Sequence, residues 1–184
     1  MTTATITLIG GPTALLLTDP TFDDPGEYAL SYVTLKKSGN PALRPDQIGA
    51  IDAVLLSHDQ HSDNLDTLGR AFLQKANRVF TTEAGADRLG GNAQGLRPWA
   101  TAEISNGNGG ALDIAATPAR HGPIGIEPLS GDVIGFVVSS KTHAFNPLYI
   151  SGDTVWPKSS GGSNPVLFFS SPERRKRGAS SISP

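Results

Sequence analysis

Apolar and polar positions alternate along this chain in short runs, with little long helical periodicity, which favours strands. Thr3 to Ile9 (TATITLI) alternates β-branched and small residues and is expected to be a strand. After the Gly10-Gly11-Pro12 turn, a second run from Ala14 to Leu17 closes at Thr18-Asp19-Pro20, so the two would make a very short antiparallel hairpin. Residues 21–50, with prolines at 25, 41 and 45, read mostly as loop. Within them Pro45 to Ile48 suggests one helical turn, and Phe22, Tyr28 and Tyr32 read as filler against a sheet. The apolar run ending in Val54, Leu55 and Leu56 reads as a buried strand. Leu65 to Lys75 places Leu65, Leu68, Phe72 and Leu73 on one face of an amphipathic helix, with Asp63 or Asn64 at its N-cap. Arg78 to Thr82 is a short strand, and Glu83 to Leu89 a short helix ended by Gly90 and Gly91. Leu96 to Ile104 leads into an NGNGG turn at residues 106–110. Beyond it lie further strands at Leu112 to Thr117, Asp132 to Ser139 and Asn146 to Ser151. Strand–helix alternation followed by a strand-rich half indicates an α+β domain of layered sheets and helices.

Composition refines this picture at the C-terminal end. With 184 residues, 21 glycines, 14 prolines and 7% aromatic residues, one loop-rich domain with an aliphatic core is expected. Residues 157–184 hold five of the 15 basic residues and one of the 17 acidic ones, which leaves the remainder acidic. That segment runs from the linker-like PKSSGGSNP through PVLFFSS to the basic Arg174, Arg175, Lys176 and Arg177. It reads as a solvated, low-complexity tail (157–184) behind a domain spanning residues 1–156. A nucleic-acid partner is not expected, since only the tail is basic. The absence of cysteine removes disulfides, thiolate ligands and a cysteine nucleophile. No signal-peptide pattern opens the sequence, and no apolar run is long enough to span a membrane. The expectation is a cytoplasmic protein acting on a small-molecule substrate, with homo-oligomerisation left open.

Candidate chemistry concentrates in residues 51–66, IDAVLLSHDQHSDNLD. His58, Asp59, His61, Asp63 and Asn64 crowd into the loop between a buried strand and a helix. Imidazoles and a carboxylate there suit a divalent cation, because the loop backbone can turn them all inward. His121 in TPARHGP and Asp153 in YISGDTVW, each after an apolar or β-branched run, could complete the set. His121 could equally bond backbone in a turn, and Asp153 could cap one. Asp19 could reach into a site from its strand end, although capping the Pro20 turn explains it as well. His143 has no acidic neighbours and is left out. Neutral imidazoles and a carboxylate would hold Zn2+ while leaving a position for water, with Mn2+ or Fe2+ as alternatives. The ion would turn that water into a hydroxide nucleophile near neutral pH. Asp63 could accept the proton or bind a second ion, and Asp153 could bridge two. No Gly-x-Ser-x-Gly elbow or phosphate-cradling glycine loop offers a rival chemistry.

The order of these motifs resembles the metallo-beta-lactamase fold superfamily, in particular the small hydrolases of its L-ascorbate-6-phosphate lactonase-like branch. The signature His-x-His-x-Asp-His follows a buried strand there. Here SHDQHSDNLD occupies the place, His58 matching the first ligand and His61, Asp63 and Asn64 the His-x-Asp-His end, with one residue inserted between. TPARHGP supplies the later histidine, SGDT the later aspartate, and TLIGGPTALLLTDPTF resembles the branch's first strands. The resemblance implies an αββα sandwich with a metal site at one edge, and metal-bound hydroxide cleaving an ester, lactone, amide or phosphoester. It implies His58, His61 and His121 on a first ion, Asp63 on a second and Asp153 touching both, so that Asp63 and Asp153 are the catalytic carboxylates. Three departures qualify it. Asn64 stands where a histidine is usual, the first hairpin is short, and no histidine follows His143. The reading is therefore a shortened member, incomplete in its C-terminal half, with a catalytically inactive remnant or binding protein as the alternative.

Overall fold

The computed structural model describes residues 5–7, 15–29, 34–105, 111–122, 125, 130–140 and 146–155. Two sheets carry the fold. The first is mixed, in the order β1 (Thr5–Thr7), β2 (Leu15–Thr18), β5 (Ile51–Leu55), β6 (Ala76–Thr81) and β7 (Ala93–Gly95). Strand β1 pairs antiparallel with β2 through Thr5 opposite Leu17, and the other neighbours are parallel. The second sheet is antiparallel, in the order β11 (Leu148–Ile150), β10 (Ile134–Ser139), β9 (Ala111–Pro118) and β8 (Thr101–Ser105). A separate hairpin pairs β3 (Gly26–Ala29) with β4 (Thr34–Lys37).

The side-chain period of two explains how the layers stack. Leu16, Ala53, Leu55 and Phe80 point from the first sheet into a core shared with Ile104, Leu112, Ile114, Ala116, Ile134, Phe136 and Val138 of the second. Their neighbours Leu17, Val54, Leu56 and Val79 point the other way, onto Phe72 and Leu73 of the helical layer. Strands buried on both faces need apolar residues at consecutive positions, which is why residues 53–56 lack alternation. Each large aliphatic or aromatic side chain so buried contributes roughly 1.5–3 kcal/mol. Helix α1 (Thr67–Phe72, continued by a 3-10 turn at Leu73–Lys75) joins β5 to β6, and α2 (Glu83–Leu89) joins β6 to β7. Helix, sheet and sheet are thus three layers of the expected αββα sandwich. A helix covering the outer face of the second sheet is not found among the described residues.

Several sequence expectations need correction. Residues 21–50 contain the β3–β4 hairpin, whose exposed, charged strands carry no buried-strand signature. Residues 45–47 form a turn closed by Gln47 N–H to the Arg44 carbonyl at 3.0 Å, without a helix. Leu68 lies 40% exposed, off the buried face of α1. The N-cap of α1 is Asp66, whose Oδ1 takes the Gly69 N–H at 2.8 Å, and neither Asp63 nor Asn64. Asp23 takes two more free donors of that first turn, from Thr67 and Leu68. Asp66 Oδ2 meanwhile holds Lys37 Nζ at 3.2 Å and Asp23 N–H at 2.7 Å, fastening the hairpin to the helix start. With capping done elsewhere, Asp63 and Asn64 are released for other partners. Phe22 is core filler, edge-on to Phe72 at 5.2 Å. The tail at 157–184, His143 and the 10–12 and 106–110 turns lie outside the described residues. No helix among the described residues is long and apolar enough to cross a membrane.

Candidate metal centre

Ligands in sheets with parallel strands gather beyond the strands' carboxyl ends. Beyond β2 lies Asp19, beyond β5 lie Ser57 and His58, beyond β9 lies His121 and beyond β11 lies Asp153. After β5 the chain turns tightly, Asn64 and Leu65 both donating to the His61 carbonyl, at 3.2 and 2.9 Å. The turn sets the His58 and His61 rings edge to face, with His58 Nε2 3.2 Å from His61 Nδ1. His121 arrives from the opposite sheet and tilts over both rings, at centroid distances of 5.0 and 4.8 Å.

His121 and Asp153 come together because their loops are stitched. Val155 N–H donates to the Arg120 carbonyl at 2.8 Å, and Arg120 N–H to Thr154 Oγ1 at 3.1 Å. Gly152, at φ 59°, lies so close to Ser57 that a Cβ would stand 2.6 Å from the Ser57 Cβ. Only glycine allows both that backbone conformation and that approach. The result puts Asp153 Oδ2 3.6 Å from His121 Nε2. His121 Nδ1 is 3.4 Å from the Ser130 carbonyl.

One ligand atom from each of His58, His61 and His121 lies within 4.8 Å of the others. An ion about 2.1 Å from each nitrogen would hold them about 3.4 Å apart in a tetrahedral set, so small ring rotations suffice. The charge states suit it. Burial, then the neighbouring His121 and His61, push His58 down to about 4 from 6.5. Burial and His121 lower His61 as well. Neutral imidazoles present lone pairs, as metal binding requires. Asp63 stands close enough for its charge to act on both rings, yet its Oδ1 is buried without a hydrogen-bond partner. An orphaned carboxylate oxygen beside three converging imidazoles is a donor set that suits a cation. Asn64 is buried too, its amide nitrogen 3.3 Å from Ser57 Oγ and its Oδ1 unpartnered. Asp59 faces away from the cluster, held by Arg88 Nε at 3.1 and 3.0 Å and by Arg70, which fixes the loop to both helices.

Sequence reasoning undervalued Asp19 and passed over Ser57. Asp19 Oδ1 accepts the Ser57 N–H at 2.7 Å, and the residue holds φ 39°, which Asp and Asn tolerate better than most. Burial pushes its carboxyl up to about 7 from 3.8, against the hydrogen bonds from Ser57. The visible signal was a carboxylate at a strand end before proline, which a turn cap explains equally well.

Asp19 and His58 pull the stability of the metal-free protein in opposite directions. Between pH 6.5 and about 4 the unfolded chain binds a proton that folded His58 refuses, so acid destabilises. Between about 7 and 3.8 folded Asp19 holds a proton that the unfolded chain sheds, so acid stabilises. Asp19→Asn removes the second effect. Urea titrations of metal-free protein should show the variant losing more stability than wild type from pH 7 to 4.5, by up to about 3 kcal/mol. Parallel profiles would contradict the opposed pair.

Residues 15–163 match the family model described as the beta-lactamase superfamily domain. The chain belongs to that superfamily. The isothiocyanate hydrolase from Delia radicum gut bacteria is similar to it, with 26% identity and a TM-score of 0.62 over 85% of this chain. The chain spans 62% of that protein's length. Two more distant structures share the superfamily fold. A putative metal-dependent hydrolase from Parabacteroides distasonis is 19% identical, with a TM-score of 0.50 over 77% of this chain and 53% of its own. The diiron beta-hydroxylase CmlA from Streptomyces venezuelae is 15% identical, with a TM-score of 0.50 over 83% and 30%. No curated protein matches the chain.

Proposed function

We propose that this superfamily member is a metal-dependent hydrolase acting on a small electrophilic substrate in the cytoplasm. The observation that carries the proposal is the convergence of His58, His61 and His121 from two sheets, beside the orphaned Asp63 oxygen. These histidines would hold one divalent ion, Zn2+ by donor chemistry, with Mn2+ or Fe2+ as alternatives. When bound, such an ion supplies Lewis acidity and a water of lowered pKa. Asp63, adjacent to the rings, receives the proton released during attack. Asp153, beside His121 Nε2, orients that ring and offers a further oxygen ligand. The Asn64 amide leans toward Ser57, which favours one ion over two. Residues 1–156 form the working domain in this reading, with 157–184 as its tail.

The substrate class is an ester, lactone, amide or phosphoester. The similar isothiocyanate hydrolase adds a heterocumulene carbon to it, whereas the lactonase-like branch would favour a lactone. Freshly purified protein should carry about one transition-metal ion per chain by elemental analysis. Chelation should abolish turnover of whichever member of a lactone, ester, phosphodiester and isothiocyanate panel is hydrolysed. Folded protein that holds no metal under replete conditions would sink the proposal. The amide at Asn64 favours a second reading, a binding protein that keeps the fold without catalysis. Stoichiometric metal with no turnover across the panel would select it.

A further inference from the structure

Only Asp59 and Gln60 link the two histidines of the first sheet, and both are tied to other parts of the fold. Asp59 is 4% exposed, and its carboxylate turns away from the cluster onto α2. There Arg88 takes it in a fork, with Nε 3.0 Å from Oδ2 and Nη2 on Oδ1. Arg70 of α1 donates from Nη2 to the Asp59 backbone carbonyl at 2.7 Å. Helix α2 comes this close because residue 85 is glycine, where a Cβ would stand 3.2 Å from Asp59 Oδ1. Gln60 is exposed, yet its amide lies against Gly131, where a Cβ would stand 2.3 Å from Gln60 Nε2. Gly131 follows Ser130, whose carbonyl is 3.4 Å from His121 Nδ1.

Each linking residue brings its own soft backbone torsions, so the link by itself does not set the spacing of the two rings. A metal site tolerates errors of only about 0.2 Å in its bond lengths. The missing constraint has to come from outside the loop. Among the contacts on the link, the Arg88 fork is charge-assisted, two-pronged and closed on a buried carboxylate, which makes it the strongest. The rigid guanidinium plane fixes direction as well as distance, which a lysine cannot do.

We propose that Arg88 is a positioning residue for the histidine pair: its fork on Asp59 fixes the link between His58 and His61, and so sets the distance at which their rings can share an ion. The consequence for metal rests on the function proposed above, whereas the ring positions belong to the metal-free protein.

Two readouts test it. The first is the NMR cross-peak between the His58 and His61 rings in metal-free protein at pH 8, assigned with His61→Asn and His121→Ala. The ring centroids lie 5.1 Å apart, edge to face, so wild type should show it. The second is Zn2+ affinity, read by competition with a chelator. Arg88→Gln should lose most of the cross-peak and bind Zn2+ about 10- to 100-fold more weakly, the range for outer partners of a metal site. Arg88→Lys keeps the charge without the fork, and should stay folded while recovering only part of both signals. Asp59→Asn should match Arg88→Gln, and the double variant should be no weaker than the weaker single one. The double variant also buries no unpaired charge, so it carries both readouts if Arg88→Gln alone does not fold. Glu83→Gln is the control, because it breaks only the exposed pair with Arg97 at the start of the same helix and should leave both readouts unchanged. No cross-peak in wild type, an undiminished one in Arg88→Gln or the double variant, or full recovery in Arg88→Lys would each overturn the inference. So would additive affinity losses, or equal losses in Glu83→Gln. A cross-peak that responds as expected in a protein that binds no Zn2+ would support it while refuting the proposed function.

Discussion

His121→Ala should lose metal affinity by more than about 100-fold, beyond the range for loss of an outer partner. The fold should barely notice. His121 is only partly buried, and among the described residues its ring meets the two neighbouring imidazoles, Asp153 at 3.6 Å and the Ser130 carbonyl at 3.4 Å. The metal-free variant should therefore melt within a few degrees of wild type while its metal content falls to background. His58 makes the instructive contrast. It is fully buried, so His58→Ala removes a ligand and opens a cavity together, and both readouts should fall. Wild-type metal content in His121→Ala would exclude this histidine from the site and leave the second sheet with Asp153 alone.

Gly69→Ala should destabilise by about 3 kcal/mol or more, against the trend for its element. In an exposed helix interior, alanine improves on glycine by about 1 kcal/mol. At Gly69 a Cβ would stand 1.9 Å from the Pro20 carbonyl oxygen and 3.0 Å from the capping carboxylate of Asp66. Backbone cannot yield there without moving α1 or the turn that carries Asp19. Gly49, where a Cβ meets nothing within 4 Å, is the matched control and should change little as alanine. Urea midpoints of the two variants test the difference. A Gly69→Ala protein as stable as wild type would mean that the helix stands off the turn.

The parts of the molecule legible in its sequence are those where one physical cause acts alone. Helix α2 lies at Glu83–Leu89 because Thr82 caps it and Gly90 ends it at φ 63°, both local effects. Strand β9 alternates from Ala111 to Ala116 because one face meets the core and the other does not. Legibility failed where distant residues did the local work. The N-cap of α1 was misplaced because three candidate caps, Asp63, Asn64 and Asp66, precede the helix, and the Gly69 N–H together with Asp23 and Lys37 shows that Asp66 is the one engaged. The β3–β4 hairpin is exposed and charged, so burial leaves no imprint on it. The histidine cluster could be anticipated from strand ends and residue chemistry. Ser57 could not, because a serine among histidines carries no signal until its hydroxyl is seen on His58 Nδ1 and its backbone N–H on Asp19.

The candidate ligands divide between the layers, His58 and His61 behind the first sheet and His121 behind the second. A cation seated among them would act as a clasp across the seam of the sandwich. Each tenfold excess of ion over its dissociation constant would then add about 1.4 kcal/mol to the hold of one sheet on the other. Stripping the ion should quicken amide exchange in β5 and β9 alike, so that two strands from different layers loosen as one.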